Sequence, residues 1–258
     1  MKLIDSHCHI NFDAFDHDRV AVVQRAARAG IHTLVVPGVS RKLSQSTEWQ
    51  NDCGAVSIIQ GFGLHPYFIN QHQDTDLDWL ATTLQGDPAA FIGEVGLDST
   101  VDHYERQLVL FSEQLQLAIE YQRPLVLHHR RSQADLLRLI KPVRSRLPVV
   151  PGVLHAFSGS FAQAKEWVAL GFMLGVGGTI TYQRAQKTRR ALAQIPIEFL
   201  LLETDAPDMP LFGYQGQRNE PAQAAQVLLE LSELQQLPPA MLADIIWDNT
   251  QRLFRFNQ

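Results

Sequence analysis

Eight short β-rich runs recur along this chain at intervals of about 20 to 35 residues, close to one strand–helix unit each. They are Lys2–Asp5, Thr33–Pro37, Ala55–Gln60, Ala90–Glu94, Leu125–His128, Gly152–His155, Phe172–Val176 and Phe199–Glu203. Leu34-Val35-Val36 and Leu200-Leu201-Leu202 are continuous rather than alternating, as buried parallel strands are. Parallel neighbours need a long crossover, and helical patterns fill the gaps. Glu105–Gln122 carries Leu108, Phe111, Leu115, Ala118 and Ile119 on one stripe. Ser132 is placed to cap the helix holding Leu136, Leu137 and Ile140, and Ser160 to cap Phe161–Leu170, which Gly171 closes. Pro221–Gln235 and Ala240–Phe256 read as two closing helices. Eight such units in 258 residues predict an α/β fold, a TIM-type (β/α)8 barrel formed as one domain over 1–258. A doubly wound open sheet is the alternative, since periodicity alone does not close a sheet.

Composition excludes several classes of function. Hydrophobic residues are 45% and charged residues 19%, enough for a full core. A formal charge of −5 excludes a histone-like coat on nucleic acid, though not an enzyme with a locally positive cleft. No run reaches the roughly 18 unbroken apolar residues of a membrane helix. The N-terminus meets Asp5 and His7 too early for a signal-peptide core. With only Cys8 and Cys53, a disulfide framework is not expected, and the reading is a cytoplasmic protein with no membrane and no obligate protein partner.

Nearly every β-run ends in a histidine or a carboxylate: Asp5-Ser6-His7-Cys8-His9, Gly63-Leu64-His65-Pro66, Gly93-Glu94-Val95-Gly96-Leu97-Asp98, His128-His129-Arg130, His155 and Glu203-Thr204-Asp205-Ala206-Pro207. In a parallel barrel these ends open on one face, where barrel enzymes place their chemistry. Alternation along a strand points His7 and His9 the same way, about 6.6 Å apart, and Cys8 the other way into packing. Alone, the pair is equally a solvated strand end. Glu94, directly after Phe91-Ile92-Gly93, must be paired, metal-bound or protonated if buried. Its two oxygens could bridge two cations, with His128 and His155 supplying nitrogens to the second. Asp205 could join His7 and His9 at the first, or accept a proton from water. Glu203 is either an orienting group for a ligand or water, or a strand carboxylate in a salt bridge.

These segments, with His155-Ala156-Phe157-Ser158-Gly159 and Arg218-Asn219-Glu220-Pro221, resemble the signatures of the TatD-type metal-dependent hydrolases, in its uncharacterised bacterial branch. The likeness runs from residue 3 to about 254. The resemblance implies a barrel of the metal-dependent amidohydrolase kind, holding two divalent cations and acting on phosphodiesters, notably DNA. By position, His7, His9 and Asp205 would take one metal and His128 and His155 the other, with Glu94 bridging. Members often carry aromatic residues after the Gly-Leu-Asp segment, where this chain has Ser99-Thr100. If such an aromatic holds a base or sugar, preference here moves away from DNA.

The expected reaction is hydrolysis of a phosphoester, with single-stranded or oligonucleotide DNA the expected partner. A cation lowers the pKa of bound water, and a pair can stabilise both attacking and leaving oxygens. Asp205 is the expected general base and Glu94 the second catalytic carboxylate. Mixed imidazole and carboxylate ligands suit zinc or manganese, while Mg²⁺ fits family practice. His65, Arg130, Asn219 and Glu203 are the expected substrate contacts. Arg131, Arg184 and Arg218 lie in predicted top-face loops, and Tyr67, Phe68 and Tyr182 could stack a base. Gly175-Val176-Gly177-Gly178-Thr179 is either a phosphate loop or a turn needing positive φ. The same metal cluster would serve a carboxylic ester, lactone or amide. A metal-dependent binding protein without turnover is the third alternative.

Overall fold

A computed structural model describes residues 1–254 of the chain. Eight strands, all parallel, run in sequence order: β1 (Leu3–Asp5), β2 (Ile31–Val36), β3 (Ser57–Phe62), β4 (Phe91–Asp98), β5 (Leu125–Arg130), β6 (Gly152–Leu154), β7 (Met173–Val176) and β8 (Leu200–Leu202). The ring closes beyond the last strand. Ser6 N–H donates to Leu202 O at 2.8 Å, Asp205 N–H to His7 O at 2.9 Å and His9 N–H to Ala206 O at 2.7 Å. Asp5 reinforces this seam, accepting from Thr204 N–H at 3.0 Å and from its hydroxyl at 2.5 Å. Closure excludes the open doubly wound sheet; the fold is a TIM-type barrel.

Among the described residues nine α-helices accompany the strands: α1 (Arg19–Arg28), α2 (Arg41–Ser44), α3 (Thr75–Gly86), α4 (Tyr104–Tyr121), α5 (Gln133–Ile140), α6 (Phe161–Ala169), α7 (Gln186–Leu192), α8 (Ala224–Gln235) and α9 (Pro239–Phe254). The last predicted helix reached Phe256; its residues 255 and 256 lie outside the described residues. Ser160 caps α6 in a reciprocal capping box with Gln163. Ser132 does not cap α5, because its hydroxyl donates instead to Leu97 O at 2.5 Å, tying the start of the helix to β4. No helix among the described residues is long and apolar enough to cross a membrane.

Two apolar layers result. The larger lies between the strands and the helices, with Trp167 fully buried against Phe172. The inner one takes Ile4, Val35, Ile59, Phe91, Val126, Val153, Met173 and Leu201, one from each strand, and Leu253 and Phe254 at the end of α9 pack with it. Side chains alternate along a strand, so the residue two places beyond each inner apolar residue faces the same axis. On β5 that residue is His128, beyond β6 it is His155, and beyond β8 it is Glu203. The apolar layer is therefore a floor, and the ionisable groups stand one layer above it.

Candidate metal centre

Glu94 stands at the centre of this upper layer, 2% exposed, with its two oxygens turned to different neighbours. Oε2 lies 3.2 Å from His7 Nε2 and 3.2 Å from His9 Nε2. Oε1 lies 3.0 Å from His128 Nδ1, 3.2 Å from His65 Nε2 and 3.5 Å from His155 Nε2. Asp205 Oδ1 completes the first group, 3.6 Å from His7 Nε2 and 3.8 Å from His9 Nε2. Its backbone, at φ 60, turns the chain out of β8 in the left-handed region that aspartate tolerates better than most residues. The six residues expected to converge do so.

The histidine pair is close-set: the Nε2 atoms of His7 and His9 are 3.2 Å apart, with ring centroids 4.9 Å apart and edge to face. Two neutral imidazoles can place at most one proton between facing nitrogens, so a lone pair is left pointing at the shared space. Cys8, between them, is wholly buried in the outer apolar layer. Converging imidazole nitrogens and carboxylate oxygens, with a lone pair left over, fit a divalent cation.

Electrostatics follow from crowding in a dry pocket. Burial alone would raise the Glu94 pKa, but His65, His7 and His155 around it outweigh that and hold it well below the usual range. Burial pulls His7 well down and His65 to about 4, so both favour the neutral, ligating form. Burial opposes charge on His155 too, yet Asp205, Glu203 and Glu94 together push it up to about 10 when no cation is present. Burial raises Asp205 to about 6.

Behind His128 of β5 and His155 just beyond β6 stand two further carboxylates. Asp98 Oδ2 lies 3.4 Å from His128 Nε2, and its Oδ1 accepts from Thr100 N–H at 2.8 Å and hydroxyl at 2.6 Å. Thr100, in the Ser99-Thr100 pair that follows Gly-Leu-Asp, thus fixes Asp98. Burial works against the Asp98 charge, but His128 and Thr100 hold its pKa below the usual range. Glu203 Oε1 lies 3.3 Å from His155 Nδ1 and accepts from Ala156 N–H at 2.6 Å. Such outer carboxylates set which imidazole nitrogen carries the proton. Asp98 had no expected role; its position at the end of β4, beside the strand that carries His128, was the signal available.

The residues expected to contact substrate fall in different settings. Glu203 is 1% exposed and engaged behind His155, so it does not reach the mouth. Asn219 is 3% exposed, and its amide donates to the carbonyls of Thr204 and Asp208 while its oxygen accepts from Glu220 N–H, leaving nothing for a ligand. His65, 7% exposed, stands inside the Glu94–His128 group rather than outside it. Arg130 is exposed on the rim, lining a cleft with Arg131, Ser158 and Gln163. Arg218 is occupied by a two-pronged pair with Asp18 at 2.7 and 2.8 Å. His129, next to His128 and so on the opposite strand face, lies beside Gln133 of α5, and burial lowers it to about 3. The positive-φ turn expected of the glycines around the end of β7 is not found: none of Gly175, Gly177 and Gly178 has positive φ, and Gly175, within β7, leaves the space that the Glu203 carboxylate fills.

The TatD related DNase family matches residues 4–255. The chain is 44% identical to the uncharacterized metal-dependent hydrolase YjjV of Escherichia coli K12, over 98% of each chain. The crystal structure of that TatD homolog superposes with a TM-score of 0.89 at 42% identity, again covering 98% of both. A 3'-5' ssDNA/RNA exonuclease TatD of Cronobacter sakazakii is 32% identical over 99% of this chain and 98% of its own length. Barrel, strand-end cluster and these likenesses agree: the chain belongs to the TatD-related family of metal-dependent hydrolases.

Proposed function

We propose that the protein is a two-cation phosphodiesterase, a deoxyribonuclease acting on single-stranded or oligonucleotide DNA, with the whole chain serving as one catalytic barrel domain. The observation that carries this is the split of the Glu94 carboxylate: one oxygen faces His7 and His9, the other faces His128 and His155. His7, His9 and Asp205 would hold one cation and His128 and His155 the other, Glu94 bridging. The relative named as an ssDNA/RNA exonuclease supports the nucleic-acid substrate. The nitrogen-rich donor set favours zinc or manganese, and two buried free thiols, Cys8 and Cys53, suit a reducing cytoplasm.

When bound, the cation pair would supply activated water and neutralise charge on the phosphate oxygens. The chain's own residues do the rest. Asp205, whose side chain is 16% exposed against 3% for Glu94, is the acid of the cluster that a substrate and its attacking water can reach. Its Oδ1 faces the histidines, leaving Oδ2 to take the proton of the attacking water. Glu94 holds the two histidine groups at fixed separation, and Asp98 and Glu203 keep His128 and His155 oriented. The exposed guanidinium of Arg130, at the end of β5, is placed to engage the substrate phosphate.

Metal-loaded protein assayed on bis-p-nitrophenyl phosphate, single-stranded DNA and a panel of carboxylic esters and lactones tests the proposal. Turnover of the first two is expected, with Asp205→Asn abolishing it while metal stays bound. Activity confined to carboxyl esters would eliminate the nuclease reading, and tight metal retention with no turnover at all would make the protein a binder.

A further inference from the structure

The loops that follow β7 and β8 form one stapled unit beside the candidate metal centre. Phe212 N–H donates to the Thr181 hydroxyl at 2.8 Å, and that hydroxyl donates to Gly178 O at 2.7 Å. Tyr182 donates through its hydroxyl to Pro210 O at 2.7 Å. Asn219 holds Asp208 O at 2.9 Å from below. On this fixed backbone the Phe212 side chain is nonetheless 62% exposed. It meets the Tyr182 ring edge-on, centroids 5.8 Å apart, and the Arg184 guanidinium lies 4.9 Å over the same tyrosine. Among the described residues Arg184 has no carboxylate partner, unlike Arg189 close by, which pairs with Glu230 at 3.2 Å. A cleft lined by Thr179, Tyr182, Arg184, Met209 and Pro210 opens there. Both loops leave the C-terminal ends of their strands, and Asp205 begins the second, so the cleft shares the mouth of the barrel with Glu94.

An exposed aromatic on a rigid loop presents apolar surface that needs no further ordering to bind. A guanidinium free of carboxylates beside it, on a chain of net charge −5, adds a local positive charge. A ligand that uses both has a flat π-face joined to an anion. A nucleotide within a single strand has that form, whereas bases within a duplex have no free face. A small neutral aliphatic ester or lactone has neither part. We propose that an unpaired nucleobase of a single-stranded substrate stacks on Phe212 beside this cleft, with Arg184 on the adjoining phosphate; this rests on the phosphodiesterase reading above.

The test compares wild type with Phe212→Ala, Arg184→Gln and Tyr67→Ala, using a single-stranded oligonucleotide carrying 2-aminopurine and bis-p-nitrophenyl phosphate. Tyr67 is 65% exposed on the loop after β3, four strands around the ring from β7, and offers the rival stacking face. Phe212→Ala is expected to raise KM for the oligonucleotide about tenfold, within what one base–aromatic stack supplies, with kcat much less affected. Quenching of 2-aminopurine fluorescence falls with it. Arg184→Gln weakens oligonucleotide binding and flattens its salt dependence. Wild-type KM in both variants, or a loss confined to Tyr67→Ala, overturns the assignment and leaves the phosphodiesterase reading standing. Hydrolysis of bis-p-nitrophenyl phosphate by a wild type that neither binds nor cleaves the oligonucleotide overturns the nuclease reading, and this inference with it.

Discussion

Gly175→Ala is a one-carbon change whose consequences can be worked through the structure. An alanine Cβ would sit 2.1 Å from Glu203 Oε2 and 2.6 Å from its Cδ, where real contacts stop near 3.0 Å, so the carboxylate must withdraw by about 0.9 Å. On a surface that would cost little. Glu203 is 1% exposed, however, and its Oε1 is held by Ala156 N–H at 2.6 Å and faces His155 Nδ1 at 3.3 Å. Withdrawal breaks a charge-assisted hydrogen bond and leaves a buried carboxylate short of partners, a loss of about 2–4 kcal/mol. In a chain of this size that lowers Tm by roughly 5–12 °C. His155 loses its orienting partner, so cation affinity should fall about 10–100-fold. Thermal unfolding by circular dichroism and zinc competition against a chromophoric chelator read the two effects separately. Gly54→Ala, whose Cβ would meet nothing within 4 Å, serves as the neutral control. If Gly175→Ala matched that control in both Tm and affinity, the link from β7 through Glu203 to His155 would be refuted.

Asn219→Ala should act on stability, losing about 2–4 kcal/mol as the carbonyls of Thr204 and Asp208 lose a buried donor; an unchanged Tm with a raised KM would return Asn219 to the substrate. His128→Ala should lower the metal content from two ions towards one, read by elemental analysis of dialysed protein, with retention of both contradicting the assignment. Although burial opposes it, the carboxylates around His155 raise its pKa from 6.5 to about 10 in the metal-free protein. That contribution to stability is therefore fully present below about pH 6.5 and lost as pH rises through about 10. A cation binding at pH 8 must displace this proton, so calorimetry in two buffers of different ionisation enthalpy should show proton release and affinity rising with pH; a buffer-independent enthalpy would contradict it.

Much of the barrel was legible because parallel buried strands announce themselves. Leu34-Val35-Val36 and Leu200-Leu201-Leu202 are apolar on both faces, and each of the eight β-runs overlaps an observed strand. The strand-end cluster was legible for the same reason: His128, His155 and Glu203 each follow an inner apolar residue by two places, a spacing that geometry fixes. Direction within loops is not so fixed. Asn219 and Arg218 sit in a segment after β8 where nothing local says whether a side chain faces solvent or backbone, and both turn inward to hold the chain. Contacts between strands were equally hidden. Asp98 meets His128 only because Gly96 pairs with His128 and Asp98 with Arg130 across β4 and β5, a register no single segment contains. Gly175 needed its partner as well: without Glu203 opposite, a glycine at the head of the Gly-Val-Gly-Gly run reads as part of a turn or an anion loop. Ser132 shows a hydroxyl choosing between two uses, the carbonyl of Leu97 over the first turn of α5.

Anomalous diffraction from crystals grown with zinc or manganese tests the bridging role of Glu94 most directly. Two peaks are expected astride its carboxylate, one against Oε2 with His7 and His9, the other against Oε1 with His128 and His155. A single peak, or metal bound elsewhere with Glu94 bare, would contradict a two-cation centre.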